Sequence, residues 1–87
     1  KQKIKEFTEN ANLYITLDID FFDPSIAPAA HHPEPNGPLF AEFQSLIQAI
    51  KGNLVGMDVC CLTPIPNNEI TEFLTIRSLF EVLSLIK

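Results

Sequence analysis

Leu13-Tyr14-Ile15-Thr16-Leu17-Asp18-Ile19-Asp20-Phe21-Phe22-Asp23-Pro24 is a β-rich apolar run that ends in acid. Up to the aspartates it is apolar on both alternating faces, as expected of a central strand in a parallel sheet with helices on both sides. Successive side chains of a strand point to opposite faces. A strand carried through to Asp20 would therefore put Asp18 and Asp20 on one side, roughly 6 to 7 Å apart at the backbone. Like charges gathered there are costly to desolvate unless a cation or a base lies beside them. Asp18 and Asp20 together are thus candidate ligands for a hard divalent cation such as Mg²⁺, Mn²⁺ or Ca²⁺. The competing use of either is to cap backbone amides, and Asp23 before Pro24 reads as the opening of a turn.

Working outward, residues 23–38 hold five of the chain's seven prolines together with Gly37, which predicts a long, stiff loop without regular structure. Loops of this length in compact domains are usually functional or disordered, and the acids at its start favour function. His31 and His32 lie in it, close enough in sequence to Asp20 to fold back as substrate-lining groups or as ligands. Phe40, Phe43, Leu46, Ile47 and Ile50 recur at helical spacing before Gly52-Asn53, predicting an amphipathic helix over Leu39–Lys51. Leu54–Cys61 reads as a second buried strand, so strand, helix and strand form a right-handed βαβ unit. Upstream, Lys1–Asn10 reads as a helix end packed by Ile4 and Phe7. Downstream, Glu69–Lys87 reads as a closing helix whose apolar residues from Ile70 to Ile86 pack on the sheet. In open α/β sheets ligands gather at the carboxyl ends of strands, where Asp18, Asp20 and the Asp58–Cys61 segment all fall.

At 87 residues the chain is one small domain at most, and it begins at Lys1, so it is expected to be a piece of a longer chain. Its 46% hydrophobic and 20% charged residues suit a packed domain. A net charge of −5 argues against nucleic acid or an anionic membrane surface as partner and suits a cationic ligand. No apolar run is long enough to span a membrane, and no secretory signal is read at the start. Cys60 and Cys61 are neighbours, a poor basis for a disulfide or a zinc site, and read as two reduced, buried thiols in a cytoplasmic protein. Three glycines leave no room for a dinucleotide fingerprint.

The stretch Tyr14–Pro28 resembles the signature S-x-D-x-D-x-x-D-P-x-x-x-P of the ureohydrolases, the family of arginase and agmatinase, with Thr16 at its first position. Pro33-Glu34-Pro35 and Gly37 extend the likeness. Gly56-Met57-Asp58-Val59 followed by Pro64 is similar to the family's G-x-D-[IV]-x-E-x-x-P strand. The resemblance spans nearly the whole chain, as the C-terminal part (1–87) of a single ureohydrolase-like domain, and lies nearer to agmatinases than to arginases. It implies a three-layer α/β/α fold around a mostly parallel sheet, and two Mn²⁺ ions in the complete protein, with Asp18 bridging both and Asp20 binding one. It also implies attack of metal-bound hydroxide on a small cationic guanidino substrate with release of urea, and a homo-oligomer, trimer or hexamer.

Three departures from the family pattern stand out. The family's earlier histidine and aspartate metal motifs are absent from this chain, which alone lacks most of the ligands. The glutamate that receives the guanidinium falls at Cys61, whose thiol cannot supply that salt bridge. Ala29-Ala30-His31-His32 is bulkier than the family's small loop, putting His31 and His32 where the substrate tail passes. An alternative is therefore a divergent or non-catalytic homologue that keeps the fold for assembly or regulation.

Overall fold

The computed structural model describes residues 2–86. Its elements are helix α1 (Gln2–Thr8), strand β1 (Asn12–Asp18), a 3-10 turn (Ile19–Phe21), helix α2 (Phe40–Gln48), strand β2 (Asn53–Cys60) and helix α3 (Ile70–Leu83). β1 and β2 pair in parallel as direct neighbours, so the α/β reading holds, with a strand, a long loop, a helix and a second strand in the expected order.

The register carries one irregularity. Leu13 pairs with Leu54 but Tyr14 with Gly56, leaving Val55 as an extra residue in β2. Beyond this bulge, Ile15 faces Met57 and Leu17 faces Val59 on the covered side of the sheet, while Thr16 faces Asp58 and Asp18 faces Cys60 on the open side. A single inserted residue thus reverses which β2 side chains share a face with Asp18. The sheet is covered on one face only among the described residues; Tyr14 and Val55 are more than half exposed. The expected cover on both faces is not present among the described residues.

The core lies between the covered face and α2. Leu17, Ile19, Phe22, Phe43, Ile47 and Leu54 are buried together, and Phe22 and Phe43 meet edge to face at 5.2 Å. α2 begins where the Glu42 carboxylate accepts the Leu39 N–H at 3.1 Å, and it ends earlier than its apolar spacing predicts, at Gln48. Gly52 is not its stop. It is a point of close approach, because a Cβ there would lie 2.7 Å from the Thr8 carbonyl and 2.8 Å from that of Ala11.

Both outer helices turn differently from their apolar stripes. In α1, Phe7 is exposed and Thr8 is buried: its hydroxyl donates to the Ile4 carbonyl at 2.7 Å and accepts the Lys51 N–H at 3.0 Å. In α3 the inward stripe is Thr71, Thr75, Ser78 and Val82, while Ile70, Phe73, Ile76, Phe80 and Leu83 point outward. Small side chains let α3 approach the chain closely, and the Thr71 hydroxyl accepts the Ala29 N–H at 2.9 Å. α3 is apolar nearly all round, a pattern suited to burial on more than one side; periodicity alone could not say which side this chain fills.

Candidate metal centre

β1 stops two residues earlier than its apolar pattern suggests, and this reshapes the acidic mouth. Asp18 keeps extended backbone, but its Oδ1 accepts the Asp20 N–H at 2.8 Å and caps the 3-10 turn that follows. Aspartate readily bonds the amide two residues on, and here that local bond displaces the next step of the ladder. Asp20 therefore lies on the turn, and its placement beside Asp18 on one strand face is corrected. The bond ties the Asp18 carboxylate to the backbone of Asp20. Asp20 Oδ1 in turn accepts the His32 N–H at 2.9 Å, and its second oxygen has no hydrogen-bond partner among the described residues. Capping and ligation are thus compatible uses of the same carboxylates, one oxygen for each.

The long loop is held at both ends by Asp23. Its Oδ2 accepts the Ser25 N–H at 2.9 Å and its Oδ1 the Gly37 N–H at 3.2 Å, while its own N–H donates to the Pro38 carbonyl at 3.0 Å. Hydrogen bonds from Ser25, joined by Asn36 and Gly37, hold the Asp23 carboxyl below its usual range against a smaller opposing effect of burial. Gly37 has to be glycine at this crossing, since a Cβ there would lie 2.7 Å from the Asp23 nitrogen.

The loop then returns beside the end of β2. Ala30 and Leu62 form an antiparallel bridge, His31 N–H donates to the Cys61 carbonyl at 2.9 Å, and Thr63 N–H donates to Ala29 at 2.6 Å. His31 and His32 are exposed, with ring centroids 4.2 Å apart. Their backbones thus tie Cys61 on one side to Asp20 on the other. Periodicity carried no sign of this bridge.

Cys61 leaves the strand in the left-handed region, φ 68°, which residues with a Cβ seldom take. Regular alternation would turn Cys60 and Cys61 to opposite faces; the left-handed turn breaks it. One carboxylate oxygen of Asp18 and the sulfurs of Cys60 and Cys61 lie within 4.8 Å of one another. Cys60 is exposed and Cys61 half-buried, so the expectation of two buried thiols is corrected. Burial pushes the Cys61 thiol up to about 12, with hydrogen bonds and charge repulsion from Cys60 and Asp18 adding to the shift. Beside the Asp18 carboxylate, it remains a neutral thiol unless a cation lies there. Cys60 was not among the candidate site residues; pairing it with Asp18 requires the bulge at Val55.

Among the described residues, no helix is long and apolar enough to cross a membrane. The family model described as the arginase family matches residues 1–84. An agmatinase of Chromobacterium violaceum is 34% identical over 87 residues, 98% of this chain and 27% of its own length. A mitochondrial arginase of Medicago truncatula is 42% identical over 52 residues, 60% of this chain and 15% of its own. The solved proclavaminate amidino hydrolase of Streptomyces clavuligerus superposes with a TM-score of 0.86 at 30% identity, covering 95% of this chain and 28% of that one. The chain thus spans less than a third of the length of these three proteins.

Proposed function

Because the chain belongs to the arginase family, we propose that the whole protein is a metal-dependent ureohydrolase that cleaves a C–N bond of a small, cationic guanidino compound and releases urea. Agmatine is the favoured substrate, since the alignment with an agmatinase runs along essentially the whole chain and the Pro33-Glu34-Pro35 loop is agmatinase-like. The observation that carries the reading is the Asp18–Asp20 pair, each with one carboxylate oxygen fixed by a backbone N–H.

Hard carboxylate oxygens oriented in this way fit manganese, and Asp18 and Asp20 would hold it with further ligands from outside residues 1–87. When bound, a pair of such ions supplies Lewis acidity and an acidified water. The chain's own residues do the rest. Asp20 fixes the loop through His32, so that His31 and His32 line the path of the substrate. Asp23 keeps that loop closed. Cys61, in the position of the family's glutamate, offers the guanidinium a neutral contact. Residues 1–87 form the C-terminal part of a single domain, and the protein works as a cytoplasmic homo-oligomer whose further surfaces cover Phe73, Ile76 and Phe80 of α3.

The test is urea release by the full-length protein with Mn²⁺, assayed on agmatine and on arginine. Turnover is expected, and Asp20→Ala should abolish it without unfolding the protein. Bound Mn²⁺ with no urea from any guanidino compound would overturn the proposal. Cys61 favours a second reading, a homologue that keeps the fold but has lost efficient turnover, and substitution at that position separates the two.

A further inference from the structure

We propose that Asp18, Cys60 and Cys61 form a binding site for a thiophilic divalent cation, of which Zn²⁺ is the representative. The three side chains come from the carboxyl ends of both strands, and their ligand atoms already lie within 4.8 Å of one another. Ligands on one tetrahedral Zn²⁺ stand roughly 3.5 to 3.8 Å apart, from Zn–S and Zn–O lengths near 2.3 and 2.0 Å. Closing the set on an ion thus takes side-chain movements of about an ångström. The backbone is fixed for it. Strand pairing holds Asp18 opposite Cys60, and the left-handed Cys61 is tied through its carbonyl to His31 N–H at 2.9 Å.

The donor chemistry selects the cation. One carboxylate oxygen and two sulfurs are a mixed, soft set, and thiolates favour Zn²⁺ over Mn²⁺, which is also the weaker binder in the general order of divalent metals. Binding releases the thiol protons to solvent. Three protein ligands leave one position open for water or another small ligand. Adjacent cysteines are a poor zinc motif on their own; the bulge at Val55 and the left-handed turn at Cys61 turn them into one by adding Asp18. Only the consequence that Zn²⁺ competes with manganese for Asp18 rests on the proposed function; the thiophilic site itself does not.

The experiment uses the full-length protein, stripped of metal under reducing conditions and titrated with Co²⁺ as a spectroscopic probe. A thiolate-to-cobalt charge-transfer absorption, saturating at one equivalent and bleached by Zn²⁺, is the expected result. Cys60→Ser and Cys61→Ser, each shown by circular dichroism to be folded, should weaken Co²⁺ binding at least tenfold, so that the absorption at one equivalent is largely lost. Its absence in the parent protein, or its persistence in either variant, would overturn the proposal. Urea release with Mn²⁺ is measured separately: its failure with the cobalt absorption intact counts against the ureohydrolase reading alone.

Discussion

Gly37→Ala puts a methyl group where the long loop crosses its own beginning. The new Cβ would lie 2.7 Å from the Asp23 nitrogen, 2.9 Å from the Phe22 carbonyl carbon and 3.0 Å from the Asp23 Cα. All three are backbone atoms, so no side-chain rotation relieves the contact. Reaching the roughly 3.5 to 4.0 Å of ordinary contact requires the two segments to part by about 0.8 to 1.3 Å at the closest point. That movement breaks the 3.2 Å bond from Gly37 N–H to Asp23 and strains the 3.0 Å bond from Asp23 N–H to Pro38. Overpacking of this kind costs about 1–3 kcal/mol, a fall of several degrees in melting temperature for a domain of ordinary size. The displaced loop also carries the His32 N–H that orients Asp20. Loss of such a supporting contact weakens metal binding about 10- to 100-fold. Gly52→Ala is the control. It meets the Thr8 and Ala11 carbonyls at 2.7 and 2.8 Å, an equal clash at the opposite end of the strands. Calorimetric titration with Mn²⁺ and thermal melts of the full-length variants are expected to show a lower melting temperature in both and weaker Mn²⁺ binding only in Gly37→Ala. Equal loss of Mn²⁺ affinity in the two variants, or wild-type behaviour of Gly37→Ala, would refute the reasoning.

Asp23, whose folded carboxyl is held below its usual range, contributes stability that is fully present above the ordinary carboxylate pKa and is lost as pH falls through the lowered folded value. The gap in denaturant midpoint between the parent and Asp23→Asn should therefore be full at neutral pH and shrink in acid; a gap that stays flat or widens on acidification contradicts this. Cys61→Glu restores an anion for a guanidinium and should raise kcat/KM for agmatine about ten- to a hundred-fold, from the usual strength of a charged hydrogen bond. Steady-state kinetics would count against that role for the position if turnover were unchanged or lower.

Much of the fold was legible because it rests on spacing. The proline-rich loop, the Phe40–Ile50 stripe and the two apolar runs each fixed an element within a few residues of its observed bounds. What escaped was decided by single contacts. Asp18 ends β1 through a hydrogen bond two residues long, which moved Asp20 off the strand although both aspartates were singled out. The bulge at Val55 leaves no trace in a strand that is apolar along both faces, and so the partnership of Cys60 with Asp18 was unreadable. α3 shows the remaining limit: with apolar residues nearly all round, the small Thr71, Thr75 and Ser78 won the inner face by allowing close approach, and no periodicity could rank that above burying phenylalanine.

The Asp23 clamp also bears on how the chain reaches its fold. Parallel strands joined through a loop and a helix are slow to find each other, because the long intervening chain loses its freedom before any pairing repays it. Asp23 bonds Ser25 two residues on and Gly37 only 14 residues away, so this knot closes over a shorter span than the strand pairing needs. Each halving of the span still to be closed lowers the entropic barrier by about 0.6 kcal/mol. Closing the proline-rich segment first shortens the path between β1 and β2 and brings the start of α2 to the end of β1 before the sheet forms. Early closure of this clamp predicts that Asp23→Asn slows refolding more than it speeds unfolding, which stopped-flow kinetics of the full-length protein would check.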